Sequence, residues 1–125
     1  MYLKNFTFVI IFFKKGGLMK YIVLGTYTDK GLAGFVQNPN EDRGAAASKM
    51  IEAAGGKLLD MHLVRGPYDF VATIEIDSFE AAAGMKLVMM STGAIKDMVT
   101  LESIDMNKVA SHASKIAGTY RPPGK

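Results

Sequence analysis

The amino-acid sequence predicts an α+β sandwich of βαββαβ order with an added C-terminal helix. Three observations predict it. Four stretches are rich in β-branched and aromatic residues, two alanine-rich stretches between them carry apolar residues at helical spacing, and turn formers stand at the junctions. A length of 125 residues suits one domain with a core of its own.

Residues 20–28 (KYIVLGTYT) read as the first strand. Asp29-Lys30-Gly31 then turns the chain into a glycine-punctuated loop. Asn38-Pro39 supplies an N-cap with proline at the first helical position, and Glu41 and Asp42 suit the positive end of the helix dipole. That helix reaches about Ala54, with Ala47, Met50, Ile51 and Ala54 on one stripe, and Gly55-Gly56 stops it. Residues 57–65 and 69–76 are the second and third strands, joined at Gly66-Pro67-Tyr68 as an antiparallel hairpin. Asp77 and Ser78 are both candidate caps, Asp77-x-x-Glu80 resembles a capping box, and Phe79, Ala83, Leu87 and Met90 recur at helical spacing. Ser91-Thr92-Gly93 ends this helix, residues 94–104 form the fourth strand, and Asp105 caps a weak helix to about Ala117. Residues 118–125, with Pro122-Pro123, are expected to form a disordered tail.

This order is the split βαβ, or ferredoxin-like, arrangement, with both crossover helices on one face of the sheet. Strand alternation assigns Ile22, Leu24, Leu59, Met61, Leu63, Phe70, Ile74, Val99 and Leu101 to the face under the helices. The other face then holds Tyr21, Val23, Leu58, Val64, Val71 and Met98 among Asp60, His62, Thr73, Glu75 and Thr100. Such a face is too apolar for water and too polar for a core. Pairing with a second copy around a semi-polar cavity resolves the conflict.

Composition narrows the function. The absence of cysteine excludes disulfides, thiolate metal sites and thiol nucleophiles, and fits a cytoplasmic location. Nine methionines suit an adaptable, gap-filling core. Residues 1–18 differ from the rest: the apolar run 6–13 is too short to cross a bilayer, which needs about 20 residues as a helix, and basic residues follow it. Lys-Lys-Gly-Gly-Leu-Met at 14–19 can be encoded by a purine-rich ribosome-binding site before a start codon. Met19 is therefore the expected start, and 1–18 an upstream leader outside the fold, with the domain at 19–117. The whole chain carries 15 basic and 12 acidic residues; setting aside Lys4, Lys14 and Lys15 leaves 12 of each sign. No basic excess then points to nucleic acid or to an anionic membrane.

Several spaced motifs carry a family resemblance: Tyr21-Ile22-Val23-Leu24-Gly25, Tyr27-Thr28-Asp29-Lys30-Gly31, Gly55-Gly56-Lys57-Leu58 and above all Gly66-Pro67-Tyr68-Asp69-Phe70-Val71. Over about residues 19–107 the chain resembles the GYD-domain family. The resemblance implies a ferredoxin-like fold of the dimeric α/β-barrel kind and hands over almost no chemistry. The Gly-x-Tyr-Asp corner is also similar to the effector domains of leucine-responsive-type regulators, which bind amino acids at subunit interfaces. No helix-turn-helix accompanies it in this sequence.

Candidate site residues are few. Asp60 and His62 share a strand face and form an acid/base couple, half a metal site or a polar lining. No third ligand has zinc-like spacing, so neither a metal nor a cofactor is expected. Tyr68 and Asp69 follow the hairpin turn, where Asp69 accepts turn N–H groups, and Tyr27 ends the first strand. Together Tyr27, Asp60, His62, Tyr68 and Asp69 are the expected ligand-binding set, around one polar pocket. Arg65 is a rim residue or an anion holder. His112 lies between Ser111 and Ser114 without a nucleophile elbow, and no phosphate-binding glycine loop occurs. The expected function is a small-molecule-binding module, homodimeric, with a small metabolite between paired sheets. A cofactor-free isomerase or oxygenase and a purely structural or interaction protein stand as alternatives, the enzyme on fold analogy alone.

Overall fold

The computed structural model describes residues 18–125, so the readings of the leader at 1–17 lie outside the described residues. The elements run β1 (Met19–Tyr27), α1 (Asp29–Gln37), α2 (Arg43–Ala53), β2 (Lys57–Leu63), β3 (Phe70–Ile76), α3 (Phe79–Ser91), β4 (Ile95–Glu102) and α4 (Met106–Ile116). The four strands form one antiparallel sheet in the order β2-β3-β1-β4. This is the ferredoxin-like α+β fold with a further helix at the C-terminus, as the strand and helix order predicts.

Each helix begins on a side-chain cap that satisfies an orphan N–H. Thr28 Oγ1 accepts from Gly31 N at 3.1 Å, Asp42 Oδ1 from Ala45 N at 3.0 Å, and Ser78 Oγ from Ala81 N at 3.1 Å. Asp105 Oδ1 accepts from both Asn107 N and Lys108 N. Two expectations are corrected here. The segment after β1 is the helix α1 rather than a loop, with Asp29 in its first turn; Gly31 and Gly34 hide it by their low helix propensity. The next helix starts at Arg43 behind Asp42, not at Pro39, because Asn38 N donates to Gly34 O and so closes α1. At its other end Gly55, at φ 88°, and Gly56 cap α2 as expected, with Gly56 N donating to Ile51 O.

The core lies between the sheet and α2 and α3, around Tyr21, Val23, Ile51, Phe70, Ile74, Ile76, Met85 and Ile95. Phe70 and Ile74 face the helices as expected. The facing of β1 and β4 is the reverse of expectation: Tyr21 and Val23 are buried under the helices with Met98 packed beside them, while Ile22, Leu24, Val99 and Leu101 lie on the opposite face. Both alternating sets of β1 are apolar, so a period of two cannot choose between them. In β2 a register shift between Leu58 and Asp60 gives Leu59 no direct partner, which turns Leu58 and Met61 inward and Asp60 and His62 outward. The inward stripe of α3 is corrected in part, since of the expected residues Met90 packs on the core and Phe79 and Leu87 do not. Ala81, Ala82, Met85 and Met89 pack on the core, whereas Phe79 and Leu87 are 63% and 73% exposed.

The open face still carries the mixture the sequence implies. Ile22, Leu24, Val71, Val99 and Leu101 lie there with Asp60, His62, Thr73 and Glu75, and none of the five apolar residues joins the core cluster. Every residue of α4 is exposed, including Met106, Val109 and Ile116.

Candidate functional site

The candidate ligand residues fall into two groups, Asp60 and His62 on the open face and Tyr27, Tyr68 and Asp69 at the β1 end and the β2–β3 connection. Asp60 and His62 meet on the open face, with Nε2 and Oδ2 at 3.0 Å and both side chains mostly exposed. The backbone of β2 sets this contact, since i and i+2 side chains project together. His62 stands opposite Val71 in the ladder and points away from the crossover helices. The pair is a surface contact and is not enclosed in a cavity. Among the described residues no group of three His, Cys, Asp or Glu side chains converges as a metal site.

Tyr27 and Asp69 form the second group, just past the last β1–β3 and β2–β3 pairs, at the same end of the sheet as His62. Asp69 Oδ2 accepts from Tyr27 N at 2.9 Å, Asp69 N donates to Gly25 O, and Val64 N donates to Asp69 O. Asp69 thus ties the ends of β1 and β2 to the start of β3. Its side chain works as a clamp on backbone, but across strands: the N–H it accepts is that of Tyr27, not one of the hairpin turn as expected. Tyr68 is half-buried in the same connection, beyond Gly66 at φ 148°. Replacing Asp69 with Ala removes the acceptor from a partly buried N–H. We expect a loss of about 1–2 kcal/mol in unfolding free energy, measured by urea denaturation; an unchanged midpoint would show the clamp to be idle.

The Tyr27 ring turns toward the helical layer. It meets Phe35 edge-on at 5.2 Å between centroids and lies 5.4 Å from Phe70, tilted. Burial raises the Tyr27 phenol above its ordinary 10.0, outweighing the lowering effect of the adjacent Arg43 guanidinium. The phenol is therefore a neutral hydroxyl at physiological pH, beside the Arg43 guanidinium. Arg43 is the site residue that sequence reasoning missed. Its signal was available: Ala46, Ala47 and Met50 follow at i+3, i+4 and i+7, the spacing of one helix face. These residues, with Tyr27, Phe70 and Met89, line a cavity of about 180 Å³ between the sheet and the helices.

Two further apolar surfaces lie outside. The exposed Phe79 and Leu87 on α3 border a groove of about 520 Å³ that reaches Tyr21 and Thr100 on the sheet. The exposed apolar side chains of α4 form the other.

The sequence model of the GYD domain matches residues 21–113. The chain belongs to the GYD domain family. The match covers β2, β3, β4 and all but the first two residues of β1, reaches into α4, and agrees with the resemblance carried by the Gly66–Phe70 corner. A protein of Thermus thermophilus is 36% identical over 84 residues, which span 67% of this chain and 86% of the relative. That relative is named "Glutamine synthetase and cystathionine beta-lyase binding protein". Among the described residues, no helix of this GYD protein is long and apolar enough to cross a membrane.

Proposed function

We propose that this GYD protein is a binding module without chemistry of its own, which pairs through its open sheet face and docks on metabolic enzymes. The relative's name carries the choice of partner class: a protein of the same family and nearly the same span is named for binding two enzymes. Two surfaces support the reading. The open face presents five apolar side chains beside the Asp60–His62 couple and suits a second copy of itself, since a symmetric contact needs a self-complementary patch. The stripe of Phe79 and Leu87, on the opposite side of the molecule, stays free in such a dimer and suits a protein partner, because exposed aromatic and aliphatic anchors next to a groove are where interface energy concentrates.

Sedimentation velocity of the purified chain with purified glutamine synthetase and, separately, cystathionine β-lyase tests this reading. Co-sedimentation with at least one enzyme is expected. The double substitution Phe79→Ser and Leu87→Ser should weaken that binding by more than about tenfold, as loss of a hot-spot residue does, while leaving self-association unchanged. Failure of the chain to co-sediment with either enzyme would count against the partner class.

A second reading, a small metabolite held between the paired sheets, is favoured by the Asp60–His62 couple. It places a polar, titratable lining inside an otherwise apolar interface.

A further inference from the structure

We infer that the cavity between the sheet and α2 and α3 is a binding site for a small monocarboxylate with an apolar tail of about six to eight carbons. The inference is independent of the enzyme-docking reading, and the cavity is on the opposite side of the sheet from the open face.

Its interior is apolar and adaptable. Met50 from α2, Met61 from β2 and Met89 from α3 converge on it with Phe70 as the floor. Ala46 and Ala47 on α2 are too small to fill the gap between the layers. A second void of about 60 Å³ adjoins it and shares Ala47, Met50, Met61, Phe70 and Met89. Unbranched methionines change shape at little cost, so the two voids are free to merge around a guest. A cavity of about 150 Å³ accommodates benzene, and the larger void here, at about 180 Å³, accommodates a ring or a folded short chain. An extended chain runs on into the smaller void.

The mouth differs in chemistry. Arg43 and Tyr27 line the same cavity, with the neutral phenol against the guanidinium. Arg43 pairs with Glu41 at 3.1 Å, two residues away, and both side chains are more than a third exposed. Such an exposed pair is weak and exchanges readily. A ligand carboxylate gains a charge-assisted, bidentate contact to Arg43 and leaves Glu41 in water. An apolar tail inside and one anionic group at the rim are what this arrangement selects. A neutral alcohol of equal length fills the cavity without using the cation, and acetate reaches the cation without filling the cavity.

The test uses the full chain with octanoate, phenylacetate, octanol and acetate, read by thermal stability and by the NMR shifts of the methionine methyl groups. A ligand that binds only the folded state must raise the melting temperature. Octanoate or phenylacetate is expected to raise it and to move the Met61 and Met89 methyl signals, and acetate to do neither. Octanol should bind at least about tenfold more weakly than octanoate, the ratio expected for a hydrogen-bonded charge. In Arg43→Gln that ratio should disappear. Val71→Asp, on the other face of the sheet, should keep the octanoate response. Ala47→Leu, which fills the cavity, should abolish it; if that variant folds poorly, the Arg43→Gln comparison decides alone. Unmoved methionine signals with every probe, or an octanoate affinity unchanged in Arg43→Gln, would overturn the assignment.

Discussion

Phe70→Ala is expected to lower the unfolding free energy by about 3 kcal/mol, the lower end of the range for a buried phenylalanine. The side chain is 3% exposed and sits in the core cluster. Its ring lies over Gly25, the cross-strand partner of Phe70, so closely that a methyl group there would collide with the ring tip. It also supports the Tyr27 ring. Truncation removes the transfer energy of the ring and leaves a hole beside a void that already exists. The lower end follows because Met61 and Met89 line the same space and are able to lean into it. Urea denaturation reads the loss directly, and an unchanged slope would show that the denatured state is the same. A loss below about 1 kcal/mol would mean that the layers collapse freely. A change on the facing strand, Gly25→Ala, overfills the same place and should cost about 1–3 kcal/mol, since the new methyl group meets both the Phe70 ring tip and the Asp97 carbonyl.

The elements most legible in the sequence are those whose signal is local. Caps at Ser78 and Asp105, the glycine stop at Gly55-Gly56 and the hairpin at Gly66-Pro67-Tyr68 follow from backbone chemistry within four residues. The facing of β1 and β4 was not legible, because Tyr21 and Val23 compete with Ile22 and Leu24 on equal terms and only the helices decide. The same is true of α3. Its two candidate stripes, Phe79–Leu87 and Met85–Met89, are both apolar, and the sequence has more greasy residues than one helix face holds. That excess is itself informative, since it remains at the surface where a partner can cover it. As for the site, Tyr27 and Asp69 were singled out separately, and the structure joins them through a backbone contact. Asp60 and His62 stand on the open face, where strand alternation put them, and Tyr27 parts from them because the facing of β1 is the reverse of expectation. Arg43 escaped because its helix was expected to begin four residues earlier, at Pro39, which puts it in mid-helix instead of at the rim.

The facing of the sheet makes two aspartate substitutions, one strand apart, behave in opposite ways. Val71 is half-buried on the open face, opposite Leu24 on one side and His62 on the other, on one of the two central strands. In the single chain an aspartate there remains in water, so Val71→Asp should fold with a circular dichroism spectrum like the parent's. In a dimer closed through this face, each protomer would bury one unpaired carboxylate. At about 2 kcal/mol or more for each of the two carboxylates, association should weaken at least roughly a thousandfold. Val23 is one ladder position from Leu24 but 7% exposed beneath the helices, in the same cluster as Ile51 and Met85. Val23→Asp has no aqueous escape in either monomer or dimer. A penalty of several kcal/mol is a large part of the roughly 5–15 kcal/mol that holds a domain together, so this variant should be unfolded or molten at 25 °C. Light scattering and circular dichroism on the two proteins separate the cases. A folded Val71→Asp monomer beside an unfolded Val23→Asp supports pairing through the open face. If Val71→Asp is folded and shows the same association state as the parent protein, that face is not where the copies meet, and the Asp60–His62 couple lines no shared cavity.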